Sequence, residues 1–215
     1  MPRKHVPVSN HNFYHLTARS VNKEPFKIRL EDAWDIFSTE LLFLSALREI
    51  EIAAFVMMPN HFHLIARTPN RPIGMVMRDF MLGTSRFLNF EANRINQVYG
   101  GPYHKSLIGD LRYFSNAYKY VYRNPVASHI VQRAEDYPFS TLPSVIGLKF
   151  SNLAIHDEHV LGAQSIDQIL SWINKPYSSD KSAAIKAGLR HSTFKFADKF
   201  RGKRRNFINE DVPPV

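Results

Sequence analysis

Two histidines on either side of one phenylalanine, inside an otherwise apolar run, constrain this chain more than any other feature. The run is Phe55-Val56-Met57-Met58-Pro59-Asn60-His61-Phe62-His63-Leu64-Ile65. Side chains of a β-strand alternate between faces, so His61, His63 and Ile65 share one side while Phe62, Leu64 and Ala66 take the other. Pro59-Asn60 is a natural turn, which makes the segment a hairpin of two strands, about 51–58 and 61–67, with the histidines opening the second arm. Neutral imidazole is a common ligand of divalent ions, and two are too few for a closed structural site, leaving positions for substrate oxygens. Taken alone, such a pair is more often ordinary surface or satisfied core.

A second segment, Tyr120-Val121-Tyr122-Arg123-Asn124-Pro125-Val126, offers a phenol and, four positions on, a carboxamide. Residues 110–123 contain one Gly-free, Pro-free stretch with Asp110 placed as N-cap, which predicts a helix of three to four turns. Helical phase puts Tyr113, Ala117, Tyr120 and Asn124 in one stripe and turns Tyr118 and Tyr122 elsewhere. Asn124 precedes a proline, which disfavours helical geometry there and predicts a place at the helix end. Tyrosines on an amphipathic helix are by themselves ordinary core with a polar tip. Together, however, two imidazoles, an amide oxygen and a phenol suit metal-assisted attack on a phosphodiester.

The rest of the chain supplies a scaffold. A strand is predicted over 12–19 and a helix over 31–49, where Trp34, Phe37, Leu41 and Leu44 recur at helical spacing. After the hairpin a helix is predicted over 73–96 with Val76, Phe80, Phe87 and Ile95 inward, then Gly100-Gly101-Pro102 and a weak strand over 103–108. The order β-α-β-β-α-β followed by the tyrosine helix is an α+β, ferredoxin-like pattern: an antiparallel sheet with helices packed mainly on one face. Residues 1–142 read as one domain and 143–215 as a C-terminal extension. The extension carries a helix near 165–174, a polar break at 175–179 and a further short helical stretch.

Charge indicates the partner. Among 215 residues, 28 Lys and Arg against 19 Asp and Glu give a formal charge of +9, which favours a polyanion through steering and counterion release. Arg19, Lys105, Arg112, Lys119 and Arg123 are candidate phosphate contacts, the last three sharing a helical phase beside Tyr120. The tail from Lys195 to Arg205 interleaves aromatics with six basic residues and one acid, and reads as a flexible arm in which Lys203, Arg204 and Arg205 grip phosphates, or else as a solvated terminus. The absence of cysteine excludes disulfides and thiolate metal sites, so any metal must use N and O ligands. A carboxamide ligand favours Mg²⁺ or Mn²⁺ over zinc. With no signal peptide and no apolar run of membrane-spanning length, a cytoplasmic, nucleoid-associated location and no membrane partner are expected.

The string Val56-Met57-Met58-Pro59-Asn60-His61-Phe62-His63-Leu64, followed by Tyr120-x-x-x-Asn124-Pro125-Val126, resembles the REP-associated tyrosine transposases. These are single-tyrosine relatives of small insertion-sequence transposases with a histidine-hydrophobe-histidine (HUH) motif. Met1-Pro2-Arg3-Lys4, the strand Phe13-Tyr14-His15-Leu16-Thr17-Ala18-Arg19 and Glu135-Asp136-Tyr137-Pro138-Phe139-Ser140 resemble further signatures, so the likeness spans about 1–142. It implies His61 and His63 as metal ligands, Asn124 as the third where some relatives have glutamine, and Tyr120 as nucleophile. The implied reaction is cleavage and rejoining of single-stranded DNA beside a REP-type hairpin, through a 5′-phosphotyrosine, by a monomer or homodimer with no obligatory protein partner. A non-catalytic binder of structured DNA or RNA on the same scaffold is the alternative, although it has no need of all four residues. A replication or conjugation initiator would share the chemistry, but its usual linked helicase has no counterpart here.

Overall fold

A computed structural model describes residues 9–156, 164–197, 199–200, 203–204, 206–209 and 213. The Met1-Pro2-Arg3-Lys4 signature lies outside them.

The alternation read in the histidine strand organises the whole sheet. Strands β1 (Tyr14–Arg19), β2 (Glu51–Met58), β3 (His61–Arg67) and β4 (His104–Leu107) form one antiparallel sheet in the order β2-β3-β1-β4. This is the ferredoxin-like order, and the two hairpin arms have the predicted bounds. Tyr14, Leu16 and Ala18 of β1 and Phe62, Leu64 and Ala66 of β3 point to one face. There they pack on α1 (Leu30–Ala46) and α2 (Ile73–Glu91) through Phe37, Leu41, Val76 and Phe80. Each such fully buried side chain contributes about 1.5–3 kcal/mol. A bulge between Ile52 and Ala54 turns both Ala53 and Ala54 to the other face before alternation resumes at Phe55.

That other face carries the histidines, and it is covered too, so helices are not confined mainly to one side. Helix α3 (Leu111–Ala127) lies across it, followed by the short α4 (Leu142–Val145), α5 (Ile166–Asn174) and α6 (Ser179–Gly188). Ile169, Trp172, Ile173, Ile185, Leu189 and Phe194 share a core with Tyr118, Val121 and Tyr122 of α3. The C-terminal half also covers both sheet edges. Thr141 N–H donates to Phe55 C=O and Met57 N–H to Phe139 C=O along β2, while Leu107 N–H donates to Ser192 C=O and Phe194 N–H to Leu107 C=O along β4. Edges so covered are not left as templates for another chain.

Helix α2 stops at Glu91 rather than near 96. Asn93 takes a left-handed φ of 49°, with Asn93 N–H bonded to Phe90 C=O and Arg94 N–H to Asn89 C=O, a Schellman ending without glycine. Phe87 and Ile95, predicted inward, are instead 54% and 98% exposed. Helix α3 overruns its predicted end for a different reason. It starts where predicted, with Asp110 accepting from Arg112 N–H and Tyr113 N–H, but it continues through Pro125 to Ala127. Proline lacks the N–H that would reach Val121 C=O. Asn124 Nδ2 donates to that same carbonyl at 3.3 Å, and to Tyr120 C=O at 2.8 Å. Asn124 thus sits inside the helix and supplies the bond its neighbour removes.

Candidate active site

Sheet pairing decides which side chains meet Tyr120. His61 lies opposite Arg19 and His63 opposite Thr17, so the histidine-face residues of β1 and β3 are neighbours. The rings of His61 and His63 are 4.9 Å apart, centroid to centroid. Above them, the Tyr120 ring stands edge-on at 5.7 Å from His63. It is also 6.1 Å from a third imidazole, His15, which is 3% exposed and bonded through Nε2 to His63 Nδ1 at 2.9 Å. His15 is the residue that sequence reasoning placed only in a strand. Its partnership with His63 depends on the β1–β3 register, although its spacing from Thr17 and Arg19 already marked the shared face.

The tautomer of His61 follows from its neighbours. Asn60 Nδ2 donates to Lys23 C=O, which orients the amide so that its oxygen faces His61 Nδ1 at 2.6 Å. An amide oxygen only accepts, so His61 carries its proton on Nδ1 and keeps the Nε2 lone pair. Such outer hydrogen bonds orient metal-ligating histidines. Burial, then the neighbouring His104, pushes His15 down to about 3. Burial followed by Arg19 takes His61 down to about 4. His63 lies well below its ordinary value through burial, then His15, His61 and Arg19. All three are neutral at pH 7, the state that binds metals.

The donor set fits a hard divalent ion in part. His61 and His63 offer imidazole nitrogens, and Asn124, with its amide nitrogen on helix carbonyls, offers an amide oxygen. Among the described residues, no group of three His, Cys, Asp or Glu could hold a metal ion. Among the described residues, Asn124 offers a neutral oxygen as a third protein ligand. The Tyr120 phenol is raised above its ordinary value by burial, against which Arg190, Arg19 and the side-chain hydrogen bond with Asn124 pull it down. Arg190 reaches this site from beyond α6, where nothing in the local sequence marked it.

The predicted phosphate contacts divide. Arg19 is exposed at the site, and Arg112 is exposed in the first turn of α3. Lys105 pairs with Leu16 and so points to the α1/α2 side, away from Tyr120. Lys119 is fully buried, its Nζ 4.8 Å from the Tyr177 ring and 5.4 Å from the Trp172 ring. Arg123 Nη1 donates to the carbonyls of Ile173 and Asn174 at the end of α5. Neither Lys119 nor Arg123 is a surface phosphate contact: the C-terminal helices enclose the first and occupy the second. Lys203 and Arg204 form one arm of a short hairpin with Lys199–Phe200, and Arg205 lies outside the described residues. Tyr113, on the predicted stripe, packs edge-on against Phe194 and at a tilt against Phe196 rather than with the histidines.

No family model matches this chain, and no curated protein matches it. Among solved structures, a REP-associated tyrosine transposase bound to a REP hairpin superposes with a TM-score of 0.58 at 18% identity, covering 73% of this chain and 93% of that one. A candidate transposase from Deinococcus radiodurans aligns over 60% of this chain and 94% of its own at 15% identity, but its TM-score of 0.37 is too low to argue from. The four-stranded antiparallel sheet with its covering helices is therefore the fold of a REP-associated tyrosine transposase.

Proposed function

We propose that this chain is a metal-dependent endonuclease and transposase of the single-tyrosine HUH type, acting on single-stranded DNA beside a REP-type hairpin. The observation that carries the reading is the meeting of Tyr120 with the neutral His61, His63 and His15 on one sheet face. The fold relative bound to a REP hairpin supports hairpin DNA as the substrate. No described helix is long and apolar enough to cross a membrane.

In this reading Tyr120 Oη attacks phosphorus. The P–O3′ bond breaks with its electron pair on the 3′ oxygen, which takes up a proton as the phenol gives one up. The products are a 5′-phosphotyrosine and a free 3′-hydroxyl. Because one phosphoester replaces another, a second strand's 3′-hydroxyl can reverse the step and join strands without ATP. Mg²⁺ or Mn²⁺ held by His61, His63 and Asn124 would polarise the non-bridging phosphate oxygens. Burial disfavours phenolate, and the positive charges of Arg19 and Arg190 offset that penalty. The hydrogen bond with His15 holds the His63 ring in place.

A second reading, a non-catalytic binder of structured nucleic acid, rests on the same hairpin-bound fold relative. The two separate on a denaturing gel after incubation with end-labelled hairpin DNA and Mn²⁺. The nuclease reading predicts a covalent adduct that disappears with chelator and in Tyr120→Phe. Tight binding with no adduct under any metal supports the binder.

A further inference from the structure

A cleft of about 630 Å³ opens between the end of β1, where Arg19 pairs with His61, and the loop leading into β4. Its volume lies within the range of about 300–1,000 Å³ usual for small-ligand sites. Its lining includes Thr17, Arg19, Asn22, Lys23, Gly101 and His104. Arg19 and Lys23 are exposed and form no ion pair among the described residues, while the adjacent carboxylate of Glu24 is taken by Lys27. Two free cations at one mouth suit a phosphate. His104 bonds the Leu189 carbonyl through Nε2 at 2.9 Å, so that nitrogen holds the proton and Nδ1 remains an acceptor. Thr17, its partner in register, adds a hydroxyl. An acceptor and a hydroxyl suit a sugar and a base edge.

The cleft is coupled to the candidate metal ligands. Arg19 lies opposite His61 in the sheet, and the Lys23 carbonyl receives the Asn60 amide that fixes the His61 tautomer. Asn22 and Lys23 are successive non-glycine residues with left-handed φ of 56° and 62°. Such conformations persist only where surroundings impose them, and they cluster at ligand sites.

We propose that this cleft seats a nucleotide of the single-stranded flank, next to the phosphate that Tyr120 attacks. Its phosphate lies on Arg19 and Lys23, with its sugar and base toward Thr17 and His104. The assignment rests on the reading of Tyr120 and the histidines as a DNA-cleaving centre.

Two substitutions test it without disturbing the fold. A Cβ at Gly101 meets nothing within 4 Å, so Gly101→Glu places a carboxylate at the cleft. Lys23→Gly keeps the left-handed turn and its carbonyl while removing the charge. Each is made in Tyr120→Phe, checked for an unchanged melting temperature, and titrated by fluorescence anisotropy against a hairpin with a single-stranded flank and the same hairpin blunt. The expected result is about tenfold weaker binding of the flanked hairpin, the loss of one charge-assisted contact, with the blunt hairpin unaffected. Unchanged affinity, or equal loss for both oligonucleotides, overturns the assignment. The adduct assay on the wild type reports separately: flank-specific loss without any adduct keeps the nucleotide site and removes the role of Tyr120. Adduct formation with indifferent flank binding removes only the cleft.

Discussion

Lowering pH should destabilise the metal-free protein through three buried imidazoles. His15 is held down at about 3 and His61 at about 4, with His63 well below its ordinary value, chiefly by burial. In the unfolded chain each returns to about 6.5. Between pH 7.5 and 5.5 the unfolded state therefore takes up protons that the native state refuses. Unfolding free energy rises with pH wherever the unfolded state binds more protons, so stability is full above about 6.5 and falls as the solution is acidified toward the folded values. At pH 5.5 each histidine costs about 1.4 kcal/mol, and three cost about 4 kcal/mol, a large part of a typical domain's stability. Urea unfolding in EDTA at pH 7.5 and 5.5 reads the loss. In His15→Gln it should be smaller by about 1.4 kcal/mol, one histidine's share. Glu40, raised by partial burial, works in the opposite direction but is common to both proteins and cancels. An equal acid loss in wild type and His15→Gln would refute the reasoning, because His15 would then titrate alike in both states.

Other substitutions bear on separate parts of the account. Asn124→Ala strips the donor from the Val121 carbonyl ahead of Pro125 and should cost about 1–2 kcal/mol in urea unfolding, whatever it does to metal binding. Trp172→Ala removes a nearly buried ring from the core shared by α3 and α5; a loss of about 3–5 kcal/mol in one cooperative transition is expected, whereas a separate C-terminal unit would melt separately. Arg19→Gln should lower the salt dependence of hairpin binding by about one counterion, while Lys105→Gln, on the opposite sheet face, should leave the slope unchanged.

Much of the scaffold was legible because local chemistry and global fold agree. The Pro59-Asn60 turn and period-two alternation set the hairpin bounds, and Asp110 announced the start of α3. The ends of α2 and α3 were not legible, since left-handed Asn93 and His129 close them without the usual glycine. Asn124 was assigned to a helix end by a rule about its backbone, and its own side chain overrides that rule. The site was legible where one strand or helix held it. It was not legible where strangers in sequence meet: His15 on His63 needs the β1–β3 register, and the side of Lys105 depends on the β1–β4 register. Lys119 is enclosed by Trp172 and Tyr177, residues from a segment that carried no recognisable motif.

The central claim is that Tyr120 is the residue that bonds to DNA. Intact-mass and peptide mapping of the protein after reaction with a flanked hairpin in Mn²⁺ tests it most directly. The account predicts one added DNA fragment, located on the peptide containing Tyr120 and absent from Tyr120→Phe. A nucleotide adduct on any other tyrosine, or one that survives Tyr120→Phe, would contradict it.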